Sequence, residues 1–287
     1  MHSTVTALLP AWQSADFIQA TLDSISAQSY EHLKVIVSVD LCDDGTYDVC
    51  AAHAEKDPRF RVVQQTERMG YVGNCNYLLD AADSDYAMLS FHDDILDPDY
   101  TMKLVEALDG HPEAVIAYSD LLMTFEKDGE EVELAFTALD GLSEPVRRGM
   151  RMLKPVHHSY IPNRGLFRLK QARRINGVKA HAMGEFQVDW PWMFSMSLLG
   201  EFVRVPEILC YKYLKTSSMS QVWDSTLAHH AAVRASCIRE LKNSDLPHRD
   251  KLLLSMVSFF WGSTLPTRIK IAKCRQRWRE ANTKNRS

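Results

Sequence analysis

The chain of 287 residues has none of the short glycine-rich loops that cradle a phosphate with backbone N–H groups. Neither GxGxxG nor GxxxxGK[ST] occurs, so a pyrophosphate bound here would need a metal ion in place of a backbone cradle. No two of the six cysteines form a CxxC pair, which removes metal-knuckle and thioredoxin-like chemistry. Cysteines scattered over 42, 50, 75, 210, 237 and 274 read as reduced, mostly buried thiols. Positive charge is in short supply: 33 Lys and Arg against 37 Asp and Glu leave a net charge of −4, so no nucleic acid partner is expected. The opening MHSTVTALLPAW has no basic region and no cleavage site, so no signal peptide is expected. The longest apolar run, Leu252 to Leu265, is broken by serines and a glycine and is too short to cross a bilayer. No GxSxG elbow, HExxH or Ser-His-Asp order is found, which leaves hydrolase readings without support. A cytoplasmic globular protein, 46% hydrophobic and 24% charged, is what these absences leave.

The first 120 residues alternate strand and helix. Strands are predicted at Val5–Leu9, Lys34–Val39, Phe60–Gln64, Tyr86–Phe91 and Ala114–Ser119. Between them lie helical patterns: one capped by Ser14 with Ile18, Leu22 and Ile25 on one face, then Thr46–Glu55, Tyr71–Ala82 and Pro98–Leu108. Continuous apolar strands separated by amphipathic helices imply an α/β fold, a mainly parallel sheet covered on both faces. Beyond residue 120 the pattern changes to a hairpin over Leu121–Phe136 turning near Asp128-Gly129, a helix at Ser143–Leu153 and a polar loop at Lys154–Arg164. A return to the sheet at Gly165–Arg168, a helix at Asp189–Leu199 and a strand at Glu207–Tyr213 follow. Residues 224–243, 249–262 and 266–281 read as three helices. The division is therefore 1–120, 121–222 as a second half of the same domain, and 223–287 as a helical extension. Its last 22 residues hold eight Lys or Arg and one Glu, interleaved with Ile269, Ile271, Cys274 and Trp278. Such a helix can lie on an anionic membrane or simply face solvent. The helical extension also offers elements for a homodimer.

In a parallel sheet ligands bind outside the C-terminal strand ends, and the polar clusters fall there: Pro10-Ala11-Trp12, Asp40 with Asp43-Asp44-Gly45, and His92-Asp93-Asp94. The last is the most informative. A buried strand that delivers two adjacent carboxylates suits a hard divalent cation, Mg²⁺ or Mn²⁺. The plain alternative, a cap for the next helix, is already supplied by Asp97 ahead of Pro98. Asp40 can accept from a nucleobase or ribose, whereas Asp43 and Asp44 fit a turn and helix start equally well. Asp189 opens DWPWM as either an N-cap or a general base, with Glu185 as a rival and Trp190 or Trp192 as a sugar platform. Arg164 or Lys212 can neutralise a departing diphosphate. His157 and His158 read as surface histidines.

These residues resemble glycosyltransferase family 2, whose fold is GT-A. VTALLPAWQSADFIQATLDSISAQSY is similar to the family's opening strand and helix, and KVIVSVDLCDDGTYDVC to its second strand and Asp-Asp-Gly-Ser turn. ERMGYVGNCNYLL, SFHDDILDPDY, GEFQVDWPWM and YKYLKTSSMS resemble, in order, the Arg-Asn region, the Asp-x-Asp metal site, the segment of the acceptor-side base and the Tyr-Arg…Ser region. The resemblance covers about residues 3 to 222 and rests on the order of the motifs. It implies a nucleotide-sugar donor (a UDP-sugar favoured), a divalent metal, a glycan or lipid-linked acceptor and inversion at the anomeric carbon. By position, Pro10, Ala11, Trp12, Asp40, Arg68, Asn76, His92 and Asp93 would bind the nucleotide sugar. Asp93 and Asp94 would hold the metal, Asp189 would be the base, and Arg164, Trp190 and Lys212 would face acceptor or diphosphate. Departures stand out: Phe91 where the first Asp of Asp-x-Asp is usual, Cys75 for Arg, Val188 for Glu, Lys212 for Arg, and no His nearby. Bacterial surface polysaccharide assembly is the expected setting, at the inner face of the membrane. Two rivals stay open. One is a sugar nucleotidyltransferase, although residues 10–20 contain no Gly, Lys or Arg. The other is a catalytically silent module that binds glycan or a partner.

Overall fold

A computed structural model describes residues 2–154, 158–215 and 226–261. Strand β1 (Val5–Ala11) is buried along its whole length, and β2 (Leu33–Val39) is buried but for Lys34. Parallel pairing with β3 (Phe60–Gln64) and β4 (Tyr86–Leu89) gives the order β3-β2-β1-β4. Sequences rich in Val, Ile and Leu with no alternation can be buried this way only if helices cover both faces. Those helices are α1 (Ile18–Ser26), α2 (Thr46–Ala54) and α3 (Gly70–Ala81). Helix α1 turns Ile18, Leu22 and Ile25 into the core at complete burial, as their spacing predicts. Each such side chain contributes about 1.5–3 kcal/mol through burial alone.

The sheet does not stop at residue 120. Strand β6 runs unbroken from Ala114 to Phe125, and its hairpin partner β7 (Glu131–Leu134) follows a turn in which Gly129 takes φ +69°. Strand β8 (Leu166–Arg168) lies antiparallel between β4 and β6, and β9 (Glu201–Leu214) runs parallel to β6. One mixed sheet, β3-β2-β1-β4-β8-β6-β9-β5 with β5 the short strand Asp94–Leu96, thus serves both halves of the chain. Helices α4 (Tyr100–Gly110), α5 (Pro145–Met152), α6 (Leu169–Arg174), α7 (Asp189–Leu199) and α8 (Leu227–Asn243) pack around it, and residues 248–261 are helical. The expected third C-terminal helix, with its basic stripe, lies outside the described residues, as does the boundary at 222/223. Among the described residues the five cysteines are free and all but Cys42 are buried; no helix there is long and apolar enough to cross a membrane.

Three local expectations are corrected. Strand β4 ends at Leu89 rather than Phe91, and a short strand β5 (Asp94–Leu96) follows. Three residues carry no periodicity, and β5 exists because β9 offers it a ladder. Ser14 does not cap α1 with its side chain: its carbonyl accepts from the amides of Phe17 and Ile18, and its hydroxyl is buried without a partner. Asp97 does not cap α4, which begins at Tyr100; its carboxylate accepts from the Asp99 amide at 3.0 Å and its carbonyl from the Tyr100 amide.

Candidate functional site

The ends of β1, β2 and β4 bring Trp12, Asp40 and the turn 90–94 to one rim of the sheet. Asp40 is 2% exposed. One carboxylate oxygen accepts from the amides of Met69 at 2.7 Å and Leu41 at 3.1 Å. The other accepts from the Gly70 amide at 2.9 Å and faces Arg68 Nη1 at 3.3 Å. These contacts make Asp40 the anchor of the loop that leads into α3. The loop in turn lays the Arg68 guanidinium 3.6 Å above the Trp12 ring, a cation–π stack. Pro10 and Ala11 are buried beneath, in β1. Asp44 is also a loop anchor, accepting from the Ala15 amide at 3.1 Å and the Thr46 hydroxyl at 2.8 Å, while Asp43 is exposed.

Asn76, expected at the nucleotide, is turned elsewhere. Its amide nitrogen donates to the Val178 carbonyl at 2.8 Å and its oxygen accepts from the Val178 amide at 2.9 Å. It clamps α3 to the turn at 176–178. The neighbouring Cys75 is fully buried, and burial pushes its thiol up to about 12.

The turn from β4 to β5 carries the two adjacent carboxylates. Helix α1 holds it through the Thr21 hydroxyl, which donates to the carbonyls of His92 at 3.0 Å and Asp94 at 2.9 Å. Phe91 stacks against Tyr71, centroids 6.3 Å apart, and the Arg164 guanidinium sits 4.9 Å from the Phe91 ring. Arg164 Nε donates to Asp94 Oδ2 at 2.6 Å, both side chains being almost out of solvent (11% and 3% exposed). Lys212 Nζ donates to Asp93 Oδ2 at 2.6 Å and lies 3.4 Å from Asp94 Oδ1. Burial would raise the Asp93 carboxyl, but the Lys212 ammonium outweighs it and holds Asp93 below the usual carboxylate range. Arg164 is likewise held above its ordinary value by Asp94, against the opposing effect of burial. The His92 ring meets Phe17 edge-on at 5.3 Å; burial lowers its pKa, so it is neutral at pH 7, and its Nδ1 is buried without a partner.

Asp189 is the first residue of α7 and is half-buried. Burial raises its carboxyl above the ordinary range, with Arg164 acting against that shift. Arg164 therefore touches Asp94 directly and Asp189 through its field. The rival Glu185 is otherwise engaged: it accepts from the amides of Tyr71 at 3.1 Å and Val72 at 2.8 Å, the open N-terminus of α3. A Cβ on Gly70, at φ +71°, would stand 2.8 Å from Glu185 Oε1. Trp192 is no sugar platform, being only 3% exposed and edge-on to Phe167. Trp190 is half-buried with its indole N–H donating to the Met152 carbonyl at 2.9 Å, which fixes its ring against α5.

A divalent ion does not fit these residues as they stand. Among the described residues no three His, Cys, Asp or Glu converge to hold one. Asp93 and Asp94 are already neutralised by Lys212 and Arg164. An ion placed about 4 Å from an ammonium would be opposed by about 8 kcal/mol at an effective dielectric near 20. At the two adjacent carboxylates, where a metal is expected, the structure instead sets cations that come from β9 and the 3-10 turn Pro162–Arg164.

The sequence profile described as "Glycosyl transferase family 2" matches residues 6–170, more than half of the chain. The chain belongs to this family. An uncharacterized glycosyltransferase of Haemophilus influenzae is 23% identical over 77% of the chain. A Bacillus subtilis protein named for teichuronic acid biosynthesis, TuaG, is 29% identical over 36% of it. The chain spans 68% of the first protein's length and 40% of the second's, and as little as 11% of a longer relative from Sinorhizobium fredii. Among solved structures, S. aureus TarS 1–349 in complex with UDP-GlcNAc superposes with a TM-score of 0.67 at 12% identity, covering 90% of this chain and 71% of TarS 1–349. Mannosyltransferase PcManGT from Pyrobaculum calidifontis, in complex with GDP-Man and Mn²⁺, gives 0.57 at 16% identity, covering 96% and 76%. At such identities the likeness is one of fold, and the fold is GT-A.

Two features of the rim escaped the sequence. Lys215, three residues past Lys212, sets its ammonium 3.5 Å from the Phe17 ring centroid. Tyr71, half-buried, lies in the field of Asp189 and backs Phe91. The i, i+3 spacing of the two lysines was legible, but their convergence on the turn 91–94 depends on the β5–β9 ladder.

Proposed function

We propose that this chain is an inverting glycosyltransferase that moves one sugar from a nucleoside-diphosphate sugar, UDP-sugars favoured, to a glycan or lipid-linked acceptor. The observation that carries the reading is Asp189, a carboxylate made more basic by burial and lying in the field of Arg164, which itself pairs with Asp94. Membership of glycosyl transferase family 2 supports it. Asp189 takes the proton of an acceptor hydroxyl. The freed oxygen attacks the anomeric carbon from the side opposite the diphosphate. The anomeric C–O bond breaks, and its electron pair leaves on the phosphate oxygen, where Arg164 and Lys212 supply positive charge. Arg68 over Trp12 would flank the base, with Asp40 holding both in place. Complexes of TarS with UDP-GlcNAc and of PcManGT with GDP-Man support a nucleotide-sugar donor, and the name of TuaG supports polysaccharide assembly.

We place this work at the cytoplasmic face of a membrane. Leu252, Met256 and Phe259 are exposed on the helix over 248–261 and lead into the basic C-terminal sequence. The test is turnover of a panel of nucleotide sugars by the full chain with oligosaccharide and polyprenyl-linked acceptors, reading the product's anomeric configuration by NMR. Inversion supports the reading. Retention refutes the single-displacement step, conversion of the nucleotide sugar with added pyrophosphate into a nucleoside triphosphate and a sugar 1-phosphate points to nucleotidyl transfer, and absence of turnover with a bound nucleotide points to a silent module.

A further inference from the structure

We propose that the donor's diphosphate is held by the ammonium groups of Lys212 and Lys215, with no divalent cation between it and Asp93–Asp94. The inference deepens the glycosyltransferase reading and rests on it.

The sheet itself installs Lys212 in the place where a cation would sit. Asp94 and Lys212 are paired residues in the antiparallel β5–β9 ladder, so the ammonium is fixed there by backbone register. An ammonium has three N–H donors. Asp93 Oδ2 at 2.6 Å and Asp94 Oδ1 at 3.4 Å account for two, and among the described residues the third is left for a phosphate oxygen. Lys215 directly follows Leu214, the last residue of the same strand. Its ammonium lies over Phe17, whose ring is edge-on to His92, so it stands over the same turn as Lys212. Among the described residues Lys215 has this aromatic partner and no carboxylate in ion-pair range.

The charge balance points the same way. At the turn 91–94 Asp93 and Asp94 contribute −2, Lys212 and Arg164 restore +2, and Lys215 leaves the turn itself positive, while ionised Asp189 beyond Arg164 brings the wider cluster to neutrality. A diphosphate complements that turn. A divalent cation does not, because it would have to displace Lys212 from Asp93. Phe91, where the first carboxylate of Asp-x-Asp is usual, supplies carbon and is stacked on Tyr71.

The experiment is thermal melting and calorimetric titration of the full chain with UDP, GDP, CDP and ADP, each in EDTA and again in Mn²⁺. Binding to the folded state raises the melting temperature by mass action. We expect one nucleotide to stabilise the wild type equally in both buffers. Lys212→Met should weaken its affinity about ten- to a hundredfold, the fold-change of a lost charge-assisted hydrogen bond. Lys212→Arg keeps a cation and should retain most of the affinity, which separates loss of charge from loss of fold. Asp93→Asn frees the ammonium and should tighten binding a few-fold. Stabilisation that appears only with Mn²⁺, or a tenfold loss in Asp93→Asn, overturns the inference and leaves the donor reading standing. A cooperative melt that no nucleotide shifts in either buffer removes the donor reading and this inference with it.

Discussion

The two ends of the rim use the same residue type in opposite ways. At the β1–β2–β3 end, Asp40 and Asp44 spend their carboxylates on backbone amides of loops. At the β4–β9 end, Asp93 and Asp94 spend theirs on the side-chain cations Lys212 and Arg164. A carboxylate bonded to amides fixes the shape of a loop, and at Asp40 it also seats the exposed Arg68 beside it. One paired with a lysine or arginine is electrically cancelled and becomes a mount for the cation. The first end is therefore a scaffold for an aromatic–guanidinium stack. The second is a site whose usable charge is positive, although its sequence reads as acidic.

The largest effect expected from this contrast is at Asp189, whose carboxylate, among the described residues, is bonded to neither a loop amide of another element nor a cation. Asp189→Asn should lower kcat by about 10²–10⁴-fold, with nucleotide affinity retained in calorimetry. A loss of affinity of the same size would move Asp189 out of the base role. The pH profile sharpens the point. Burial raises the Asp189 carboxyl, and only the ionised form accepts a proton. The acid limb of kcat/KM should therefore fall at a pH above the ordinary carboxylate value near 3.9, with activity lost as pH drops through it. The same shift makes ionised Asp189 a cost to folding, fully relieved below the unfolded-state value and felt as pH rises through the folded one.

Next in size is Arg164→Met, which, among the described residues, leaves buried Asp94 with only the 3.4 Å contact to Lys212. Removing one partner of a buried pair costs about 3–5 kcal/mol, so urea unfolding should show a drop of that order. A change below about 1 kcal/mol, the worth of an exposed pair, would mean that water reaches Asp94 freely. Smaller again is Asp40→Ala. It leaves the Met69 and Gly70 amides without their acceptor and should cost about 1–3 kcal/mol. Faster hydrogen exchange at those two amides would report it, together with a raised KM for the donor. If exchange there is unchanged, Asp40 is not the anchor its contacts describe. The smallest is Gly70→Ala, about 1–2 kcal/mol for a Cβ in the left-handed region, with further strain against Glu185 Oε1. Pairing it with Glu185→Gln should recover none of the backbone part, which thermal unfolding of the double variant would show.

Much of this was legible along the chain. The parallel strands of the first half follow from unbroken apolar runs, and the helix at Asp189–Leu199 has the observed bounds. What the chain did not reveal has a common cause. Strand β5, the Asn76 clamp on Val178, the Glu185 cap on α3 and the burial of Trp192 all depend on partners far away in sequence. Asn76 and Val178 are 102 residues apart, and Glu185 and Val72 are 113 apart.

By itself, then, the sequence determined the layered α/β architecture and the gathering of carboxylates on one rim, because hydrophobic periodicity and the C-terminal ends of parallel strands are local properties. Only the tertiary structure decided what those carboxylates do. Charge is a local property of a residue, but its cancellation depends on which cation stands within a few ångström. For Asp93 and Asp94 that was settled by Lys212, 119 and 118 residues away, and by Arg164, 70 residues from Asp94.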